Sequence, residues 1–208
     1  GYMYGDQDAT TYDEVHANIN DSTVKSAIDS WYKTNILDKG YSTYVSDTVG
    51  FCGDRTLSST ATGNGIQTDM TSHFGALERF RKHEAQFICP ESERDLYTTS
   101  GSSIGNKALT YPVALITYDE ISFAGMINRS VNNLSYVYSS ESYWTMSPSN
   151  FIASSSANEW FQSKAGIIDG WWDAIGNVGI RPVINLNPDV EISSGIGTVN
   201  EPFIIKTN

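Results

Sequence analysis

Positive charge is scarce in this chain of 208 residues. It carries 13 Lys and Arg against 24 Asp and Glu, which gives a formal net charge of -11 at pH 7. A protein that binds nucleic acid presents a basic surface to the phosphates, and no cluster of Lys or Arg is present to form one. We therefore expect no nucleic-acid partner.

Long hydrophobic runs are absent as well. No run of about 18 apolar residues occurs, so the sequence predicts no membrane span. The chain shows no secretory signal, and Gly1 directly precedes a strand-like segment. These features indicate a piece excised from a longer surface protein, so contact with a membrane is expected only through an anchor outside this piece. We expect an extracellular or cell-surface location.

Cysteine is limited to Cys52 and Cys89. A small, even number of cysteines in a polar chain permits one disulfide, and the alternative is two free buried thiols. Two cysteines without paired histidines do not form a structural zinc site. We predict the Cys52–Cys89 disulfide.

Histidine is also scarce, and this limits the possible catalytic chemistry. None of His16, His73 and His83 has the spacing of a nucleophile elbow or a metalloprotease helix. A Ser/His/Asp triad built from distant residues remains open, although so many serines and acids produce such combinations by chance. The sequence predicts no catalytic residue and no cofactor.

The sugar-reading tripeptides of calcium-dependent lectins are absent too. Neither Glu-Pro-Asn, Gln-Pro-Asp nor Trp-Asn-Asp occurs. Several oxygen ligands could coordinate calcium, but they follow no ordered loop motif, and solvated carboxylates are the simpler interpretation, so we predict no metal. These candidate ligands are Asp169, Asp173, Asn177, Asp189 and Glu191.

Two helices are predicted from local signals. Ser22 is a good N-cap for the first, whose apolar residues recur at helical spacing and predict a buried face that includes Trp31. Thr117 and Glu120 have capping-box spacing at the start of the second, and Gly125 is a natural stop. The predicted buried face of the first helix consists of Val24, Ala27, Ile28, Trp31 and Tyr32.

Two strands frame the C-terminal part of the chain. Residues 142–149 and 179–186 contain the β-branched and aromatic residues that suit a sheet, and Pro148 is expected to end the first strand. Arg181 is expected to be structural, held against a carboxylate or backbone carbonyls. These elements predict one α+β domain over residues 1–208, with short antiparallel sheets, two helices and long loops.

The stretch between these strands, at about 149–178, combines small polar residues with large aromatic ones, which is typical of a displayed binding surface. One of Trp160 and Phe161 is expected to face inward, and at least one of Trp171 and Trp172 is expected to be exposed, because neighbours on a strand point to opposite faces. The predicted ligand contacts are Ile152, Ser154, Ser156, Glu159, Phe161, Asp169, Trp171, Trp172 and Asp173.

The order of these segments carries a resemblance to a known family. Segments 1–5, 18–32, 51–55, 109–112, 114–125, 143–149 and 179–186 resemble an uncharacterised domain of surface and pilin-like proteins of Gram-positive gut bacteria. The likeness covers nearly the whole chain, and it implies no enzymatic activity.

A remoter similarity bears on the fold. Segments 115–120 and 179–183 are similar to a strand-to-helix segment and a closing strand of the formylglycine-generating enzymes, whose catalytic cysteine pair does not map onto Cys52 and Cys89. This similarity implies a C-type-lectin-like fold. Proteins with this fold also include the variable proteins of diversity-generating retroelements, in which the amino-acid sequence of a C-terminal stretch is changed to make new binding surfaces. Residues 149–178 correspond to that stretch.

The predicted function is that of a non-catalytic binding module. Its ligand is expected to be a protein or glycan on another cell, or on a phage or host surface. The alternatives are a structural pilin or adhesin subunit, and an enzyme related to the formylglycine-generating group.

Overall fold

The structure is a computed structural model that describes residues 2–5, 10–65, 72–126, 129–152, 156–198 and 200–207. Over these residues the fold is mixed α+β with antiparallel sheets, as predicted, but it contains five α-helices where the sequence predicted two. The α-helices are α1 (Tyr12–Val15), α2 (Thr23–Tyr32), α3 (Gly75–Lys82), α4 (Ser92–Asp95) and α5 (Tyr118–Phe123). The strands are β1 (Phe51–Cys52), β2 (Ser72–His73), β3 (Leu96–Tyr97), β4 (Ala114–Leu115), β5 (Tyr143–Ile152), β6 (Ser156–Gln162), β7 (Ile168–Asp173), β8 (Pro182–Val183), β9 (Ile192–Ser194) and β10 (Ile204–Ile205).

One four-stranded sheet, in the order β2-β5-β6-β7, organises the fold, and all its neighbouring strands are antiparallel. We call it the main sheet. The described residues also form three two-stranded ribbons: β1 with β3, β4 with β8, and β9 with β10. In the segment at 179–186 only Pro182–Val183 forms a strand, so the second predicted strand is shorter than expected.

Helix α2 begins as predicted, because the Ser22 side chain accepts a hydrogen bond from the Lys25 amide at 3.0 Å. Its core face, however, differs from the prediction. Lys25, Ile28 and Tyr32 are buried, whereas Trp31 is 36% exposed. The predicted burial of Trp31 is therefore wrong. The buried stripe runs through positions 25, 28 and 32, and position 31 lies about a quarter turn to its side.

Helix α5 has the predicted capping box. The Thr117 hydroxyl accepts from the Glu120 amide at 3.1 Å, and the Glu120 carboxylate accepts from the Thr117 amide at 2.8 Å. The chain turns after the helix at Gly125, which has a φ of 88° that favours glycine.

The core lies on both faces of the main sheet. On β5, Trp144 and Met146 pack into a cluster with Ile28 and Tyr32 of α2. Tyr143, on the opposite face, packs into a second cluster with residues of α3 and α5. The first eight residues of β5 are consequently all buried. Pro148 lies inside this strand, with an irregular register on either side, so the prediction that it ends the strand is wrong.

The corner at residues 51–55 is fixed by covalent and ionic bonds. Cys52 forms the predicted disulfide with Cys89. Next to it, the buried Arg55 pairs with the buried Asp95 at 2.6 Å and also donates to the Val15 carbonyl. A buried guanidinium needs such partners, because an unpaired charge would be strongly destabilising.

Arg181 has the kind of partner that the sequence predicted. Its guanidinium donates to the Val137 carbonyl at 2.7 Å and lies over the ring of Tyr143. Among the described residues, no helix is both long enough and apolar enough to cross a membrane.

Candidate ligand-binding surface

The stretch at 149–178 is part of the sheet rather than an insert held between two strands. It supplies the end of β5 and all of β6 and β7, which is half the strands of the main sheet. The prediction of an insert displayed between two strands is therefore wrong. β6 contains the polar residues Asn158, Glu159 and Gln162, and all three are buried. Its sequence therefore lacks the alternation of apolar and polar residues by which a strand is usually recognised.

A bulge shapes the edge strand β7. Glu159 pairs with Trp172 and Phe161 pairs with Asp169, so Gly170 and Trp171 together oppose the single residue Trp160. A Cβ atom on Gly170 would lie only 3.0 Å from the Trp160 indole. The glycine therefore lets this indole pack against β7, and the bulge redirects the side chains that follow.

Trp160 and Phe161 are both core residues. Trp160 is 1% exposed and contacts the rings of Phe80 and Tyr118, with centroids 4.6 and 4.8 Å away. Phe161 is 5% exposed on the opposite face, next to Trp144. Phe161 was predicted as a ligand contact, and its burial against the sheet corrects that prediction.

Trp171 and Trp172 are exposed, at 50% and 46%. Trp172 packs edge-on against Phe161, with ring centroids 5.1 Å apart, so the core supports one side of this indole while its other side faces solvent. Ile175, in the turn that follows, is 90% exposed. We call Trp171, Trp172 and Ile175, with the flanking Asp169 and Asp173, the β7 surface.

The two acids of the β7 surface hold its backbone. Asp169 accepts from the Trp171 amide at 3.2 Å and pairs with Arg129 at 3.4 Å. Asp173 accepts from the Ile175 amide at 3.4 Å. Both carboxylates are partly exposed and keep lone pairs for a ligand.

Glu159 does not belong to this surface, although it was predicted to. Its side chain is fully buried, and within the described ranges neither carboxylate oxygen has a hydrogen-bond partner. Burial raises the pKa of Glu159 to about 7, with the charge of Arg55 acting in the opposite direction. The carboxyl group is therefore a buried acid that titrates near neutral pH.

The remaining predicted contacts lie at the far end of the β5–β6 hairpin. Ile152 ends β5, is partly buried and pairs with the backbone of Ser156 at the start of β6. Ser154 lies outside the described residues. The structure thus brings together Asp169, Trp171, Trp172 and Asp173 of the nine predicted contacts.

The sequence reading missed Ile175 and Arg129. Ile175 lies between small and polar residues, so no hydrophobic pattern indicated that it belongs to the surface. An apolar residue in a turn after two tryptophans is unusual, and this was the only available signal. Arg129 is distant in sequence, and nothing local links it to Asp169. The five oxygen ligands considered for calcium form no cluster of three acids in the part of the chain that the structure covers.

Comparison with known proteins provides no relative for this surface. No family model, no curated protein and no solved structure matches the chain.

Proposed function

We propose that this protein is a non-catalytic binding module that holds a protein or glycan ligand on its β7 surface. The observation that carries the proposal is the pair of half-exposed tryptophans on the edge strand, followed by the exposed Ile175. Large aromatic rings provide much contact area with few rotatable bonds, which is why they dominate binding energy at interfaces.

The position of the tryptophans favours a protein ligand over a glycan. β7 is the outer strand of the main sheet, and among the described residues no further strand of this sheet pairs with its other side, so an extended segment of a partner could add there. The adjacent rings flank that backbone, and Asp169 and Asp173 offer acceptors beside it. A partner with a neutral or basic edge suits the net charge of -11.

We also propose that the scaffold is C-type-lectin-like and belongs to the surface and pilin-like proteins that the sequence resembles. Support comes from the pairing of β4 with β8, because it joins the two segments that carry the resemblance. If the protein is a variable protein of a diversity-generating retroelement, changes should fall on the β7 surface and spare Trp160 and Phe161. Sequences of the same locus in sibling strains test this.

The proposed location is the cell surface or the extracellular space. The Cys52–Cys89 disulfide supports an oxidising compartment, since disulfides rarely persist in the cytosol.

A structural subunit is the second candidate, and the open edge of β7 favours it. Such an edge can pair with a second copy of the same chain. Sedimentation of the purified protein over a hundredfold concentration range distinguishes the candidates. A binding module remains a monomer, whereas a subunit forms oligomers that are lost in the double variant Trp171→Ser/Trp172→Ser.

The central experiment compares this double variant with Trp31→Ser on a surface-protein and glycan array. Trp31 is the matched control because it is a partly exposed tryptophan on α2, in a different element. We expect the double variant to lose at least about tenfold in affinity, as removal of interface hot spots does, while Trp31→Ser binds like the parent. A folded double variant that binds its ligand with unchanged affinity contradicts the proposal.

A further inference from the structure

A second group of side chains lies away from the β7 surface, where α1 meets the segment around α4. A ring nitrogen of His16 and one carboxylate oxygen each of Glu91 and Asp95 lie within 4.8 Å of one another. Among the residues that the structure describes, no other group of three such side chains comes this close together. His16 directly follows α1, Glu91 directly precedes α4, and Asp95 is the last residue of α4.

His16 is oriented for a ligand. Its side chain is only 7% exposed, and Nδ1 lies 2.8 Å from the Tyr12 carbonyl. A carbonyl oxygen can only accept, so Nδ1 carries the proton and Nε2 presents a lone pair. Nε2 is buried and has no partner in the described part of the chain. Metal-binding histidines characteristically donate their other ring N–H to a carbonyl in this way.

Tyr12 orients both His16 and Glu91. Its ring stacks on the imidazole with centroids 3.9 Å apart, and its hydroxyl donates to Oε2 of Glu91 at 2.8 Å. One residue thereby holds the imidazole plane and the carboxylate in a common arrangement before any ligand arrives.

Asp95 keeps one oxygen for a ligand. Its Oδ1 accepts two hydrogen bonds from the Arg55 guanidinium, whereas Oδ2 accepts from the Arg55 backbone amide at 2.6 Å and retains a lone pair. The positive charge of Arg55 balances Asp95, so Glu91 leaves the group with one net negative charge. A divalent cation is therefore compatible with the local charge.

We propose that His16, Glu91 and Asp95 bind a divalent transition-metal ion, of which Zn²⁺ fits best. One potential ligand atom from each residue lies within 4.8 Å of the other two, and a cation between them would interact with all three. A ring nitrogen with two carboxylates is a ligand set for zinc, whereas calcium and magnesium prefer oxygen alone.

The spacing of the group and its approach from solvent bear on how an ion would bind. Bonds of about 2.0–2.2 Å in a tetrahedral site place ligand atoms about 3.3–3.6 Å apart. The group therefore has to contract by up to about 1.5 Å when an ion binds, and the exposed Glu91 can supply part of that movement if it exchanges its hydrogen bond from Tyr12 for the ion. A depression of about 460 Å³ reaches the group from solvent at Glu91 alone, because its lining does not include His16 or Asp95. The lining residues are Tyr12, Cys89, Glu91, Ser92, Glu93 and Arg94.

Calorimetric titration of the metal-stripped, disulfide-bonded full chain with zinc chloride tests this site. We expect one Zn²⁺ per chain, and His16→Gln and Glu91→Gln should each weaken binding at least about tenfold. His83→Gln and Glu93→Gln are the matched controls, since both residues are exposed and Glu93 lines the same depression. Both controls should bind like the parent. Zinc should also raise the melting temperature of the parent by mass action.

Two outcomes overturn the proposal. One is a parent chain whose Kd for zinc is weaker than about 1 mM. The other is a pair of folded variants, His16→Gln and Glu91→Gln, that bind zinc like the controls. Circular dichroism checks folding, and if His16→Gln does not fold, Glu91→Gln carries the test, because its side chain lies at the surface.

Discussion

A buried carboxyl group is the most unusual feature of this protein at the level of single residues. Glu159 lies inside the main sheet, and burial raises its pKa from the ordinary value of 4.5 to about 7. Well below pH 4.5 both the folded and the unfolded states hold the proton. As the pH rises from 4.5 to 7 the unfolded state ionises first, so this group makes the folded state progressively less stable.

Replacement by glutamine should remove this dependence. Since one pKa unit corresponds to about 1.4 kcal/mol, the free energy of unfolding of Glu159→Gln should gain on the order of 3 kcal/mol relative to the parent between pH 4.5 and pH 8. Urea denaturation at a series of pH values measures this difference. Burial also raises the pKa of Asp29 and Asp54. Both groups are present in the parent and in Glu159→Gln, so their contributions cancel in the difference between the two free energies of unfolding.

Glu141→Gln is the matched control for this measurement. Glu141 is an exposed glutamate just before β5, and its replacement should leave the pH profile of the parent unchanged. Parallel profiles for Glu159→Gln and the parent would instead mean that the Glu159 carboxyl titrates as it does in water.

Helix α2 gives a prediction at the level of elements. Ile28 is fully buried, whereas Trp31 lies to the side of the buried stripe. Ile28→Ala should therefore cost about 2–4 kcal/mol of stability, as buried large-to-small changes do. Trp31→Ala should cost less than Ile28→Ala despite the larger side chain. Urea denaturation of the two variants decides the order, and a larger loss for Trp31→Ala would place the indole in the core.

Elements with local signals could be predicted from the sequence, and elements with distant partners could not. The caps at Ser22 and Thr117 depend on neighbours within three residues, so both helix starts were predicted correctly. The apolar face of α2 was predicted only in part, because helical spacing alone admits two adjacent stripes and tertiary packing selects one. Lys25 shows this, since it is buried with an ion pair to Asp29.

The same distinction explains the outcome for the candidate site. The exposure of at least one of Trp171 and Trp172 follows from two large rings adjacent on a strand, which the sequence reveals, whereas the exposure of both was not predicted. The burial of Phe161 and Glu159 depends on β6 lying between β5 and β7, and this pairing is not encoded locally. Nor does the sequence bring His16 near Glu91 and Asp95, because 75 residues or more separate them and only the folded corner joins them.

The disulfide provides the prediction at the level of the whole molecule. Cys52 and Cys89 are 37 residues apart, and the bond ties β1 to the segment that precedes α4. Closing a loop of this length stabilises the folded state by about 4 kcal/mol in the chain-entropy description. A domain of this kind has a total stability of about 5–15 kcal/mol, so the bond contributes a large fraction.

The double variant Cys52→Ser/Cys89→Ser should therefore unfold at a lower urea concentration, with about 3–4 kcal/mol less free energy of unfolding. Reduction of the parent should cause a similar loss, whereas dithiothreitol should leave the double variant unaffected, which controls for effects of the reductant itself. Titration of the unfolded, unreduced parent should detect no free thiol. Two reactive thiols in that titration, or a parent whose urea midpoint is the same with and without reductant, would show that the bond does not support the fold.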